Sequence, residues 1–152
     1  MKRSLSLLAS FILVSTLAAG AEDRLVTKKS PHSVVMTIDR LSEALKQRGI
    51  PIVARVDHAA AAERIGEKLD ATQLLLFGNP KLGTPLMQSN QNIGLDLPMK
   101  ALAWRDKSGQ VWLAYTRPSS LKSDYAISDR DSTFTAMEKA LDALTKEAVR
   151  AN

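Results

Sequence analysis

The chain has no cysteine in its 152 residues, and this one absence removes several kinds of chemistry. Thiolate nucleophiles, cysteine-bound zinc, iron–sulfur clusters and haem attached through a Cys-x-x-Cys-His sequence all need a residue that is missing. Disulfides and lipid attachment through an N-terminal cysteine go with it, so an apolar core must supply the stability that small exported domains often take from disulfides. Histidine is nearly absent too, with only two, and aromatic residues make up 5% of the chain. Runs of five or six like charges are also missing, since Lys and Arg are scattered among Asp and Glu. Nucleic-acid binding through a basic tract therefore has no support.

The one long apolar stretch lies at the start of the chain. Lys2-Arg3 precede it, it runs from Leu5 to Leu17, and it closes on Ala19-Gly20-Ala21. This charged, apolar, small-residue order is that of a secretory signal peptide. The stretch is short of the ~20 residues that cross a bilayer, so we expect cleavage after Ala21 rather than an integral membrane segment. The pair before it is not a twin arginine, which points to the general secretory route and a periplasmic or secreted location. Cleavage removes Lys2 and Arg3 and no acid, lowering the formal net charge of +5 by two. Residues 22–152 are then enough for one domain and too few for two.

The mature stretch alternates helix and strand signals. Leu25 to Lys29 alternate weakly as a first strand. Ser33 suits a helix N-cap before an apolar stripe of Val34, Ile38, Leu41 and Leu45, with Gly49 placed to end the helix in the left-handed conformation. Pro51 restarts an extended segment, with Ile52, Ala54 and Val56 on one face and Val53, Arg55 and Asp57 on the other. Asp57 can cap a short alanine-rich helix from His58 to about Glu67. The run Leu74-Leu75-Leu76-Phe77 suits a strand buried on both faces. Thr84-Pro85 reads as an N-cap with proline at the first helical position, starting a short helix to about Asn90. Met99–Arg105 and Gln110–Thr116 form a hairpin over Asp106–Gly109. A polar connection from Arg117 to Asp131 with a helical turn follows, and then a helix from about Ser132 to Val149 with Phe134, Met137, Leu141, Leu144 and Ala148 on one stripe. One-sided helices need an apolar sheet to cover, which predicts a two-layer α+β fold.

Several segments, in this order, resemble a bacterial family known as domain of unknown function 302. They are Arg55–Ala59, Gln73–Pro80, Gly83–Met87, Leu95–Lys100 and Val111–Tyr115. The resemblance covers about Leu25 to Tyr125. It implies a mainly antiparallel sheet with helices packed on one face, and it implies a homodimer. It implies no activity, because none is assigned to the family.

Four places carry candidate chemistry. His58 follows Asp57 at a strand end, where a histidine can be a general base or a metal or haem ligand oriented by a carboxylate. The bland alternative is a helix-start histidine bonded to a nearby loop. Gly78-Asn79-Pro80 and Gly83-Thr84-Pro85 flank Lys81 and could hold an anion through backbone N–H groups beside a strand end, though the Gly-Lys-Ser/Thr ending of a P-loop is missing; the structural alternative is a tight connection between the strand and its helix. Asp96, between Leu95 and Leu97, is either a functional acid or an acceptor within its turn. Met87, Met99 and Met137 are soft ligands that could serve copper or haem, with core packing as the ordinary role. No nucleophile elbow or paired-carboxylate pattern stands out. The reading is a non-enzymatic exported binding or structural domain, with a small ligand near Asp57, His58, Asn79, Thr84 and Asp96. The alternatives are a metal- or haem-associated protein using His58, and after it a hydrolase or isomerase with His58 as base.

Overall fold

The computed structural model describes residues 24–151; the export segment read over residues 1–21 lies outside them. The stripe from Val34 to Leu45 forms α1 (Val34–Gln47), capped by Ser33, whose hydroxyl accepts the Met36 N–H. Its Ile38, Leu41 and Leu45 are fully buried, each worth ~1.5–3 kcal/mol of apolar transfer. Gly49 ends it at φ +63°, the left-handed conformation that glycine adopts without strain.

The strands are β1 (Leu25–Ser30), β2 (Ile52–Asp57), β3 (Thr72–Phe77), β4 (Met99–Arg105) and β5 (Val111–Thr116). They form one sheet of order β1-β5-β4-β3-β2 in which every neighbouring pair is antiparallel. The other helices are α2 (His58–Glu63), α3 (Pro80–Ser89), α4 (Pro118–Asp124) and α5 (Asp131–Ala148), with a 3-10 turn at Gln91–Leu95. The core lies between the helices and one face of the sheet, where Leu75, Ala101, Ala103 and Leu113 meet α1 and Leu144 of α5. This is the expected two-layer α+β fold with helices on one face.

Four local expectations need correction. First, a β-bulge at Val53 shifts the register between Ile52 and Ala54. Ile52, Arg55 and Asp57 consequently face the helices, and Ala54 and Val56 the other side, because one extra residue reverses the alternation. Second, β3 is not buried on both faces: Gln73, Leu75 and Phe77 are buried, while Leu74 and Leu76 are half-buried. Third, α3 starts at Pro80, not Pro85. Asn79 is the cap, Pro80 takes the first-turn position, and Pro85 sits inside the helix. The chain carries two Asn/Thr-Pro start signals here, and the earlier one is used. Fourth, α2 stops at Glu63, short of the expected Glu67; the helical turn expected in the polar connection is present as α4, with Pro118 and Leu121 buried.

Candidate functional site

The ends of the two central strands leave a gap that the helices do not fill. Phe77 of β3 and Met99 of β4 form its floor, and Met137, Leu141 and Leu144 of α5 form one wall. Leu82 and Met87 of α3 form the opposite wall, and Ile50 and Val53 close the side toward β2. The gap has a volume of about 320 Å³ and is open to solvent on one side. The bulge gives Val53 its place at the rim, 62% exposed. Gly78 lets the segment entering β4 come close: a Cβ there would stand 3.1 Å from the Cβ of Pro98, whose peptide bond with Leu97 is cis.

The lining contains no charged residue. Its polar side chains are Asn79 and Thr84. The Asn79 side-chain amide oxygen Oδ1 accepts the Lys81 N–H at 2.9 Å as the helix cap. Its NH2 group and the Thr84 hydroxyl bond to no described residue. The arrangement suits an apolar molecule of modest size with one or two polar atoms near the mouth, which is the usual character of a small-molecule site.

The five expected site residues fall into three places. Asn79 and Thr84 line this cavity. Asp57 and His58 lie at the far end of β3, because Asp57 pairs with Gln73 while Phe77 is on the cavity floor. Those four residues of strand span roughly 13 Å. There Asp57 accepts the Ala60 N–H at 2.9 Å and the Gln73 side-chain N–H at 2.8 Å, and these bonds hold its carboxyl below the ordinary value. Gln73 in turn accepts from Arg55, which pairs with Asp39 of α1. Asp57 is thus a helix cap within a polar chain tying β2 to α1. His58 is half-buried and bonds to no described residue. Among the described residues no three His, Cys, Asp or Glu side chains converge as a metal site.

Asp96 belongs to a third group. It accepts the Tyr125 hydroxyl at 2.7 Å, with Arg24 and Lys100 at 3.7 and 3.9 Å. The bond to Asp96 raises the Tyr125 pKa, since the hydroxyl must keep its proton to donate. Asp96 therefore ties the 3-10 turn to the end of α4 and does not line the cavity. A single site built from all five residues is not what the fold makes. Sequence reasoning missed the apolar lining from α5, whose Met137, Leu141 and Leu144 carry the same periodicity as any core stripe. The usable signal was the three methionines, all of which line this cavity.

Comparison with known proteins is consistent with this fold. The family described as "Domain of unknown function DUF302" matches residues 26–144. The chain is 42% identical over 133 residues to "Fluoride-specific ion channel FluC 1" of Brucella suis biovar 1 (strain 1330), covering 87% of this chain and 52% of that protein. It is equally similar to "Fluoride-specific ion channel FluC 2" of Brucella melitensis biotype 1, of which 49% is covered. The chain thus spans about half the length of the curated relatives it matches. The crystal structure of an uncharacterized conserved DUF302 protein from Bacillus stearothermophilus has the same fold, with TM-score 0.74 and 21% identity over 83% of this chain and 98% of that one.

Proposed function

We propose a binding role for this chain, which belongs to the DUF302 family: an exported, homodimeric domain that holds a small, mainly apolar ligand in the cavity between α3 and α5. The observation that carries this reading is the cavity itself. It is a concave site, open to solvent on one side, of about 320 Å³ lined mainly by apolar side chains, which is the usual form of a small-molecule site. Asn79 and Thr84 supply the orienting polar atoms. Export rests on the N-terminal segment, with cleavage after Ala21 and release to the periplasm or medium. The lining holds no His, Asp, Glu, Lys or Cys beside the Thr84 hydroxyl, which suits binding better than catalysis.

Native mass spectrometry of the protein expressed with its own N-terminal segment and isolated from the exported fraction tests both parts. We expect a mass starting after Ala21 and an organic adduct that is lost in Leu82→Trp, where the larger side chain fills the cavity. An adduct kept in Leu82→Trp would place the ligand elsewhere, and no adduct from any host extract would count against a stably held ligand.

A second reading comes from the Brucella relatives, whose name is that of a fluoride channel. Among the described residues no helix is long and apolar enough to cross a membrane. On this reading the domain accompanies a channel rather than forming one. Deleting it should then change growth under fluoride, and unchanged growth would argue against the association.

A further inference from the structure

The polar chemistry at the cavity mouth is one-sided. Asn79 is the N-cap of α3, and its Oδ1 already accepts the Lys81 N–H at 2.9 Å. That bond fixes the amide, because only the oxygen can accept from an N–H. The group Asn79 has left to offer is its NH2, a donor. Thr84, further along α3, is exposed, and its hydroxyl can donate or accept. The anion cradle expected around Lys81 is meanwhile occupied by the protein itself. The Gly78 N–H donates to the Pro51 carbonyl at 3.1 Å, and the Leu82 and Gly83 N–H groups both donate to the Asn79 backbone carbonyl, at 2.9 and 3.0 Å. Pro80 has no N–H at all. No run of free N–H groups is left among these residues to hold a carboxylate or phosphate. Lys81 itself is exposed and stands outside the lining.

We infer that the ligand is an uncharged molecule whose polar atom is a hydrogen-bond acceptor: a ketone or ester on an apolar chain. The inference rests on the binding role proposed above and names the class of ligand. A charged head is disfavoured whichever its sign. An anion meets neither a cation nor a free N–H run, and an ammonium group meets no Asp or Glu in the lining. The apolar walls would strip water from either charge without replacing it. A carbonyl oxygen, by contrast, accepts the Asn79 N–H while its chain lies against Phe77, Met99 and Leu141. The flexible thioether side chains of Met87 and Met137 on the two walls can follow the bends of such a chain. A volume of about 320 Å³ suits roughly ten non-hydrogen atoms at ~30 Å³ each, which is the size of nonan-2-one.

The test is displacement of 1-anilinonaphthalene, an uncharged dye, from the protein expressed from Met1, by nonan-2-one, nonanoate and nonylamine near neutral pH. We expect nonan-2-one to bind at least ~10-fold more tightly than either charged analogue. Asn79→Asp separates the donor from the cap. Aspartate caps a helix as well as asparagine does, so the bond to the Lys81 N–H is kept, while the NH2 donor becomes an anionic acceptor. In that variant nonan-2-one should weaken by ~10-fold and nonylamine should tighten by a similar factor, with the melting temperature not lowered. Dye that nonan-2-one fails to displace, equal displacement by all three compounds, or an unchanged ranking in Asn79→Asp overturns the ligand class while the apolar cavity stands as a binding site. Dye that does not bind the wild type overturns the binding role along with it.

Discussion

The helix-covered side of the sheet is packed in two different ways at its two sides. Beside β1 and β5 buried side chains pack against α1 and α5, and polar side chains bond across the layers. The Lys28 ammonium donates to Asp142 at 2.8 Å and to the Thr145 hydroxyl at 2.7 Å, and the Ser30 and Thr37 hydroxyls share a buried bond of 2.7 Å. Arg40 of α1 donates to the Ala148 and Arg150 carbonyls at the end of α5, where the helix dipole favours a cation. Over the ends of β3 and β4, by contrast, the same α5 helix borders an open pocket with Asn79 and the exposed Thr84 in its lining. One helix thus serves a packed region and an open one. The proposed ligand site is the open one of the two.

Substitution should separate the two regions, and the largest effect belongs to the packed one. Leu113→Ala, at a fully buried position, should cost ~2.5–5 kcal/mol, read from urea unfolding. Thr37→Val removes one partner of a buried hydroxyl pair and should cost ~1–3 kcal/mol. Around the cavity, Met87→Leu should cost less than ~1.5 kcal/mol because the volume is conserved and the wall is not fully packed. A cost above that of Leu113→Ala would erase the distinction between the regions.

Acid should act away from the cavity, whose lining carries no titrating group. Lys146 and Lys28 hold the Asp142 carboxyl below its ordinary value. Bonds from Ser108 and Trp112 bring Asp106 to about 2. Both have folded values below the unfolded ~3.9. The stability they lend is therefore present above pH ~4 and lost as pH falls through the folded values. The melting temperature should drop between about pH 4 and 2, and Asp106→Asn should flatten part of that slope. The smallest effect is expected from His58→Ala: stability within ~0.5 kcal/mol and ligand retention unchanged. Loss of ligand in that variant would return His58 to the site.

Much of the fold was legible because periodicity encodes it. The stripes of α1 and α5, the β4–β5 hairpin and the Gly49 stop all stand where the residues put them. The bulge at Val53 was not legible, since an extra residue in a strand leaves no mark in an alternating pattern. The start of α3 was ambiguous because Asn79-Pro80 and Thr84-Pro85 are both valid helix starts. The cavity was the hardest to see. A core stripe and a cavity wall have the same composition, and Met137 and Leu141 differ from Phe134 only in what lies opposite. Asn79 and Thr84 were found because polar residues at a strand end are visible in sequence. Their distance from His58 depends on the antiparallel return of β3 and was not visible.

The most direct test of the account is binding of an environment-sensitive apolar dye, such as an anilinonaphthalene, to the wild type and to Ala140→Phe, with both melting temperatures measured. Ala140 lines the cavity and is only half-buried, so the larger ring can enter the open space. The account predicts one dye per chain, at least a ~10-fold loss of affinity in Ala140→Phe, and a melting temperature that does not fall by more than about 4 °C. Equal binding by both proteins, or none by the wild type, would contradict it.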